Sequence, residues 1–344
     1  MRIAVVTTWY PNKARFREGT FVQDYVEALR TRHDVEVFHW PALPHVPRWV
    51  NSVLFRLSVW PRFADAHLRN RFDLIHAHVV LPAGQVAVDL GSVFGLPVVL
   101  TEHSSPFSMH TKSYASRWAT RETLLKAQVV VAVSEVTRWE VQKFAGVAVE
   151  VVPNLVPDEF YELGRTGPAF HSEQPHVLFL GRLDRQKGYD LFLEACRIGM
   201  AGVHMAVGDG PMRNLPRWGC RLNEFSTHHE RTYAGARKAA LDWIAWADVV
   251  VCPSRWESFG MVAAEALASG CPVVVPSGHP LAGRPGTFLY APGMFTYWND
   301  DESPGKLTIY LAGQSSPRRL NIGSPQAVSL LAWLRSKGEN LRKD

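Results

Sequence analysis

Short runs of consecutive apolar residues, many of them β-branched, recur along the chain and limit its fold more than any other feature. A strand that is apolar on both faces needs cover on both faces, and parallel sheets flanked by helices provide that cover. In the first half, such runs predict six strands at residues 3–8, 35–40, 74–79, 98–101, 129–133 and 149–152. Amphipathic stretches between them, such as 21–30 and 135–144, predict helices. This alternation indicates a doubly wound α/β domain.

The same pattern restarts after residues 155–175, a stretch rich in proline and glycine with the composition of an interdomain linker. Apolar runs at 177–181, 203–207, 249–252 and 273–275 predict a second open α/β sheet. Because 344 residues exceed the roughly 100 to 200 of a usual single core, we expect two domains. We assign residues 1–164 to an N-terminal domain, 165–325 to a C-terminal domain, and 326–344 to a closing helix and polar tail.

Two parts of the second half show no clear strand pattern. Residues 210–247 contain a short, arginine-rich stretch, and residues 277–323 interleave prolines with glycines and aromatic residues. We therefore leave both parts unassigned, and expect the C-terminal domain to be shortened and to diverge after residue 277.

The composition is that of a globular protein, with 47% hydrophobic and 20% charged residues. The chain opens on a predicted strand and not on a signal peptide, so we expect a cytoplasmic location. A net charge of +5 fits a phosphate-rich ligand, an anionic membrane surface or nothing specific. The four cysteines lack Cys-x-x-Cys spacing, and His76 and His78 lack a third ligand at a suitable spacing. We therefore expect no metal site and place both histidines in a structural role or near a cleft.

Residues 45–71 form a basic amphipathic segment with five arginines, one acidic residue and interspersed aromatic and aliphatic side chains. Such a segment can lie on an anionic membrane surface, which would make the protein a peripheral membrane protein at the inner face of the membrane. It can equally be an ordinary helix whose apolar face packs on the sheet. The sequence leaves both interpretations open.

Two glutamates stand eight residues apart around a predicted helix start. Glu257 lies in the loop that follows the apolar run 249–252, Glu265 lies on the helix, and Gly270 marks its end. Both glutamates belong to the carboxyl edge of the predicted sheet, where open α/β sheets bind their ligands. A carboxylate accepts two hydrogen bonds from neighbouring hydroxyls, so the pair suits two diols, one on a sugar and one on a ribose.

Two cations, Arg182 and Lys187, follow a predicted strand that ends at Gly181 and precede a helix predicted to start near Gly188. Positive side chains beside the backbone N–H groups of a helix start favour binding of a diphosphate. The segment is not a Walker loop, because Lys187 is followed by glycine instead of serine or threonine and the glycine spacing differs.

In order and spacing, these residues resemble retaining GT-B glycosyltransferases, and glycosyltransferase family 4 in particular. The N-terminal half agrees with the family at four segments, namely Trp9-Tyr10-Pro11 followed by Gly19-Thr20-Phe21-Val22, then Thr101-Glu102-His103, residues 131–135, and Val152-Pro153-Asn154. In the C-terminal half the turn at 207–211 agrees as well. The similarity extends from residue 1 to about residue 277 and so covers both predicted domains.

The resemblance implies a GT-B fold, with two Rossmann-like doubly wound domains facing each other across a cleft that closes over the substrates. It implies transfer of a sugar from a nucleoside diphosphate sugar to an acceptor hydroxyl, with retention at the anomeric carbon. No metal and no cofactor are implied. Polysaccharide, glycolipid or other glycoconjugate synthesis is the implied setting, and no nucleic acid is involved.

The resemblance also implies roles for individual residues. The implied catalytic residues are Glu257, His103, Arg182 and Lys187. The implied donor-binding residues are Gly19, Arg182, Lys187, Glu257, Ser258, Phe259, Gly260 and Glu265. The two cations meet the diphosphate, Glu257 with the backbone of Phe259 and Gly260 holds the sugar, and Glu265 holds the ribose. His103 contacts the sugar near the reacting centre.

The sequence departs from the family after Pro276, where Ser277-Gly278-His279-Pro280 replaces a glycine pair and a following glutamate. This departure favours a second interpretation, a non-catalytic or impaired homologue that binds a nucleotide sugar. A GT-B nucleotide-sugar epimerase is a further alternative, but it needs additional acid or base carboxylates, and the sequence signals none.

Overall fold

Two parallel six-stranded sheets organise the chain, each in its own unit. The structure is a computed structural model that describes residues 1–12, 19–40, 43, 45–104, 106–163, 175–197, 200, 202–223, 233–284 and 287–290. One unit comprises Met1–Leu155, and the other begins at Val156. The predicted boundary at residue 164 and the predicted closing helix at 326–344 lie outside the described residues.

The sheet of the first unit has the order β2-β1-β3-β4-β5-β6, and all of its strands run parallel. Its strands are β1 (Arg2–Thr7), β2 (Asp34–His39), β3 (Leu74–His78), β4 (Val98–Glu102), β5 (Val129–Ala132) and β6 (Val149–Val151). The six strands predicted from the apolar runs are confirmed, and each observed bound lies within one residue of the predicted bound.

Helices cover both faces of this sheet. Successive strand residues point to opposite faces, so strands made of consecutive apolar residues need cover on both sides. Ile3 and Val5 belong to one apolar core and Ala4 and Val6 to the other, so β1 is buried on both sides. The helices are α1 (Thr20–Arg30), α2 (Arg48–Arg69), α3 (Gln85–Phe94), α4 (Tyr114–Lys126) and α5 (Glu135–Ala145), with short helical turns at Val80–Gly84 and Phe107–His110.

Serine side chains start two of these helices. The hydroxyl of Ser113 accepts a hydrogen bond from the backbone N–H of Ser116 at 3.1 Å before α4. The hydroxyl of Ser134 accepts one from the N–H of Thr137 at 3.2 Å before α5. Each serine satisfies a backbone donor that has no partner inside its helix, which fixes where the helix begins.

The sheet of the second unit has the order β12-β11-β10-β7-β8-β9 and is again entirely parallel. Its strands are β7 (His176–Leu180), β8 (Val203–Val207), β9 (Arg221–Asn223), β10 (Val249–Val251), β11 (Val273–Pro276) and β12 (Thr287–Tyr290). Its helices are α6 (Asp158–Glu162), α7 (Tyr189–Arg197), α8 (Tyr233–Trp246) and α9 (Met261–Ala268). Both units are thus doubly wound α/β sheets, as predicted.

Strand β9 lies in the segment 210–247, whose structure the sequence left open. It is only three residues long and lacks an apolar run, so its sequence carries no strand pattern. Its backbone is held by β8, with Met205 opposite Arg221, at the edge of the sheet. The opposite edge is formed by β12, which lies in the segment that we left unassigned.

Helix α2 carries apolar residues on two faces, and this bears on both interpretations of residues 45–71. Phe55, Val59 and Phe63 are almost fully buried and belong to the core, as in an ordinary packed helix. Trp49, Val53 and Leu57 form a second row that remains 71%, 49% and 65% exposed. Across the described residues, no helix combines the length and apolar character needed to cross a bilayer.

Replacing Phe63 with alanine should destabilise the first unit by about 3 to 5 kcal/mol, because the ring is fully buried between Phe38, Phe72 and Phe94. Urea unfolding followed by circular dichroism measures the loss. Leu68→Ala on the same helix is the control, since that side chain is 79% exposed and its loss should cost less than about 0.5 kcal/mol. Equal losses in the two variants would contradict the described packing of α2.

Candidate functional site

Strand β7 marks the point in the second sheet where the chain reverses its winding. The chain proceeds from β7 to β8 and β9 on one side, and later to β10, β11 and β12 on the other. The strands on either side of this point are β7 and β10. In parallel α/β sheets the loops that follow two such strands diverge to opposite faces and leave a crevice at the carboxyl edge. The loop after β7 carries Arg182 and Lys187, and the loop after β10 carries Glu257.

The structure brings Lys187 and Glu257 into direct contact across 70 residues of sequence. The Lys187 ammonium Nζ lies 2.5 Å from Glu257 Oε1, and the Ser254 hydroxyl donates to the same oxygen at 2.9 Å. The two charged side chains are 30% and 10% exposed, so the pair is largely withdrawn from water. Together with Cys252, Gly260 and other residues they line a pocket at the carboxyl edge of the sheet. A cation and a carboxylate are therefore available side by side to a ligand that carries both phosphate and hydroxyl groups.

Asp184 shapes the loop after β7, although no sequence pattern points to this residue. Its carboxylate accepts the backbone N–H of Lys187 at 2.9 Å and pairs with Arg182 Nε at 2.9 Å. The Asp184 side chain is 12% exposed, whereas the Arg182 side chain is 71% exposed. Arg182 thus lies in the predicted loop and is oriented by Asp184, while Lys187 lines the pocket.

Arg255 ties the two loops together and was also missed. Its guanidinium donates to both carboxylate oxygens of Asp190 on α7, at 2.7 and 2.8 Å. Its backbone N–H donates to the carbonyl of Gln186 at 2.8 Å, and its Nη1 donates to that of Arg185 at 2.8 Å. Burial acts to raise the pKa of Asp190, but the hydrogen bonds and charge of Arg255 outweigh it and lower the pKa. This arrangement fixes the distance between the loops that carry Lys187 and Glu257.

The other predicted donor-binding residues of the second unit follow Glu257 directly. Ser258 is half-buried, the Phe259 side chain is buried, and Gly260 precedes the first residue of α9. Glu265 lies on α9 and is half-buried. The helix predicted between residues 260 and 270 is confirmed, and its first N–H groups lie at the end of the loop that carries Glu257, where a negative ligand group is favoured.

In the first unit, Gly19 immediately precedes α1 and its φ of 73° lies in the left-handed region. A Cβ at this position would stand 2.3 Å from the carbonyl of Trp9, so no side chain can replace the hydrogen. Two residues further, the ring of Phe21 lies with its centroid 4.8 Å from that of His103. The structure thus places Gly19 and His103 in one neighbourhood of the first unit.

His103 belongs to a buried row of histidines at the carboxyl edge of the first sheet. Its Nε2 is 2.9 Å from Nδ1 of His78, and Nε2 of His76 is 2.8 Å from the Thr101 hydroxyl. Burial lowers the pKa of His76 and of His103 to about 3, and it lowers that of His78 as well, with further lowering from the two neighbouring histidines. The row is therefore uncharged at neutral pH. Among the described residues, no group of His, Cys, Asp and Glu side chains could hold a metal ion.

Glu102 holds the loops beside this row in place. Its carboxylate is fully buried and accepts the backbone N–H of Val80 at 2.9 Å and that of Ser104 at 2.5 Å. These donors follow β3 and β4, so one side chain fixes both loops at the carboxyl edge. In the sequence, only the position of Glu102 between Thr101 and His103 pointed to this residue.

Two family models match the chain. The model described as "Family 4 Glycosyltransferase in conflict systems" matches residues 99–282, more than half of the chain, and "Glycosyltransferase Family 4" matches residues 5–160. The chain therefore belongs to glycosyltransferase family 4. The resemblance inferred from the sequence motifs is confirmed.

Curated relatives of this chain include glycosyltransferases with different named products. The D-inositol 3-phosphate glycosyltransferase of Arthrobacter sp. (strain FB24) is 27% identical over 262 residues, which cover 67% of this chain and 59% of the relative. The alpha-maltose-1-phosphate synthase of Mycolicibacterium smegmatis is 26% identical over 321 residues, which cover 80% of this chain and 79% of that protein. The chain spans between 52% and 60% of the length of the first three curated relatives that it matches.

Solved structures with a similar fold include the sucrose-phosphate synthase of Thermosynechococcus elongatus, with a TM-score of 0.70 and 19% identity over 100% of this chain and 98% of that one. HepE of Anabaena in complex with UDP has a TM-score of 0.61 and 19% identity, and the match covers 85% of this chain and 86% of HepE. These similarities show that the fold is that of the GT-B glycosyltransferases.

Acid should destabilise the first unit through its buried histidines. An unfolded histidine binds a proton near pH 6.5, whereas His76 in the fold stays neutral down to about pH 3. The unfolded state therefore binds more protons between these values, and stability falls as the pH falls below about 6.5. At pH 5.5 the cost through His76 is about 1.4 kcal/mol.

Thermal unfolding at pH 7.5 and 5.5 measures this cost, and the fall in midpoint should be smaller in His76→Phe than in the natural protein. His45→Asn is the control, because His45 is exposed and its loss should leave the pH dependence unchanged. A fall that is the same with and without His76 would show that this histidine does not titrate as described.

Proposed function

We propose that this protein is a retaining glycosyltransferase that moves a sugar from a nucleoside diphosphate sugar to an acceptor hydroxyl, in the synthesis of a polysaccharide, glycolipid or other glycoconjugate. The observation that carries the proposal is the contact of Lys187 with Glu257 at the point where the second sheet reverses its winding. Membership of glycosyltransferase family 4 supports the reaction class.

The two side chains match the two halves of a sugar diphosphate. As the bond between the sugar and the phosphate breaks, negative charge develops on the leaving phosphate, and a fixed cation stabilises that charge more than it stabilises the bound donor. Lys187 supplies this cation from inside the pocket, and Arg182 adds a second one from the same loop. Glu257 accepts hydrogen bonds from the sugar hydroxyls, and the N–H groups of Phe259 and Gly260 assist it.

Glu265 completes the donor site by holding the ribose hydroxyls from its position on α9. In the first unit, His103 contacts the sugar, and Gly19 allows its backbone to approach the diphosphate. Because amino-acid side chains and a helix start supply all of the positive charge, the proposed reaction needs neither a metal ion nor another cofactor. The structures of HepE with UDP and with UDP-glucose support a nucleotide sugar as the donor class.

Lys187→Ala and Glu257→Gln should each lower the rate of transfer by about 100-fold to 1,000-fold, the usual effect of losing one preorganised charge or hydrogen-bonding group, while the fold stays intact. Release of nucleoside diphosphate from a panel of UDP-, GDP- and ADP-sugars measures the rate. Arg185→Ala is the matched control for Lys187→Ala, because it removes the same charge from an exposed position of the same loop and should keep most of the activity.

Near-normal turnover in either pocket variant would contradict the assignment of the site. A natural protein that binds a nucleotide sugar tightly, yet releases no nucleoside diphosphate even with acceptors of several classes, would instead support the non-catalytic homologue.

The exposed row on α2 supports a second part of the proposal, docking on an anionic membrane surface through residues 45–71. Trp49 and Leu57 would enter the interface between lipid headgroups and acyl chains. Nearby arginines would approach the anionic headgroups, although Arg56 is paired with Asp89 at 2.5 Å and Arg69 with Asp65 at 2.8 Å. Docking of this kind would bring the enzyme to a lipid-linked acceptor.

A double substitution, Trp49→Ser with Leu57→Ser, should reduce sedimentation of the protein with vesicles of phosphatidylcholine and phosphatidylglycerol by at least fivefold. The reason is that burial of these side chains supplies the apolar part of the membrane affinity. Trp139→Ser on α5 is the matched control, since Trp139 is 61% exposed and lies outside the segment. A natural protein that fails to sediment with these vesicles would refute docking.

A further inference from the structure

His279 lies in the connection between β11 and β12, at the position where the sequence departs from its family. Its side chain lines the same pocket as Lys187 and Glu257 and is 5% exposed. The imidazole lies against Gly260, because a Cβ built on that glycine would stand 2.5 Å from Nε2 and Cε1 of the ring. The ring edge that carries Nε2 therefore points at the residue that precedes α9.

The backbone fixes which nitrogen of His279 carries the proton. The N–H of Leu281 donates to Nδ1 at 3.1 Å, so Nδ1 is an acceptor and the proton of the neutral ring resides on Nε2. Burial lowers the pKa of His279 to about 4, an effect that Glu257 opposes and Lys187 reinforces, and the ring is neutral at pH 7. Within the described part of the chain, Nε2 has no hydrogen-bond partner. A buried N–H donor without an acceptor is costly, which indicates that a ligand supplies one.

The neighbouring groups indicate the kind of acceptor. The Lys187 ammonium and the first N–H groups of α9 are donors that lie at the same pocket. The carboxylate of Glu257 already receives Lys187 and Ser254. Three sets of donors around one pocket favour an anion with several oxygens, and a phosphate group has that chemistry.

We propose that His279 is a donor-binding residue whose Nε2–H donates to the distal phosphate of a nucleoside diphosphate. This role rests on the proposed function, because the phosphate belongs to the nucleoside diphosphate sugar that the proposed reaction uses. His279 would bind as a neutral donor beside the charged Lys187. His279 belongs to the segment 277–280, where the family has a glycine pair and a following glutamate.

The test compares binding of UDP, GDP and ADP with binding of UMP, GMP and AMP by isothermal titration calorimetry on the full chain. His279→Phe keeps the ring volume and removes the donor, so affinity for the diphosphate that the natural protein prefers should fall about tenfold. Affinity for the corresponding monophosphate, which lacks the distal phosphate, should change less than twofold. His279→Gln retains a neutral N–H donor and should recover most of the diphosphate affinity.

His176→Phe is the matched control, because His176 lies at the opposite end of β7 in the same unit and should leave both affinities unchanged. Equal weakening of diphosphate and monophosphate by His279→Phe, or no weakening, would overturn the role of His279 alone. A natural protein that binds none of the three diphosphates would overturn the proposed function as well. If circular dichroism shows that His279→Phe does not fold, His279→Ala serves in its place with the same selective loss expected.

Discussion

Parallel pairing of β7 with β10 is the constraint on which the site depends. Val177 pairs with Val249 and Leu178 with Val250, so the two strands end at the same edge of the sheet. Residues that follow these strands are therefore neighbours, although 70 residues separate Lys187 from Glu257. An antiparallel pairing would place the two loops at opposite edges, and the cation and the carboxylate would never meet.

Carboxylates next to the site orient its cations more than they stabilise the fold. Asp184 directs Arg182, Asp190 directs Arg255, and Glu257 holds Lys187. Withdrawing such charges from water costs a large part of the energy that their attraction returns, so a partly buried ion pair is a weak source of stability. For the same reason, little free energy is lost when a ligand group takes the place of one partner in such a pair.

The sequence predicted those parts of the fold and site that depend on local pattern. Strands such as β5 and β10 are continuous apolar runs because both of their faces are buried, whereas β9 at the sheet edge has no such run and depends on hydrogen bonds from β8. Lys187 and Glu257 were identified because they follow recognisable strands. The tie made by Arg255 joins segments 65 residues apart, which no local pattern encodes. The orientation of the His279 ring depends on the N–H of Leu281 and on packing against Gly260, and no sequence pattern signals either contact.

The distribution of cysteine gives the second unit a built-in chemical reporter. All four cysteines lie in this unit and are buried free thiols, while the first unit contains none. Burial raises the pKa of Cys252, which lines the pocket, to about 12, so its sulfur stays protonated and unreactive in the folded state. Alkylation of Cys252 therefore requires an opening of the second unit around the pocket. The rate of alkylation would therefore report the rate at which the second unit opens transiently, and the first unit would contribute no signal.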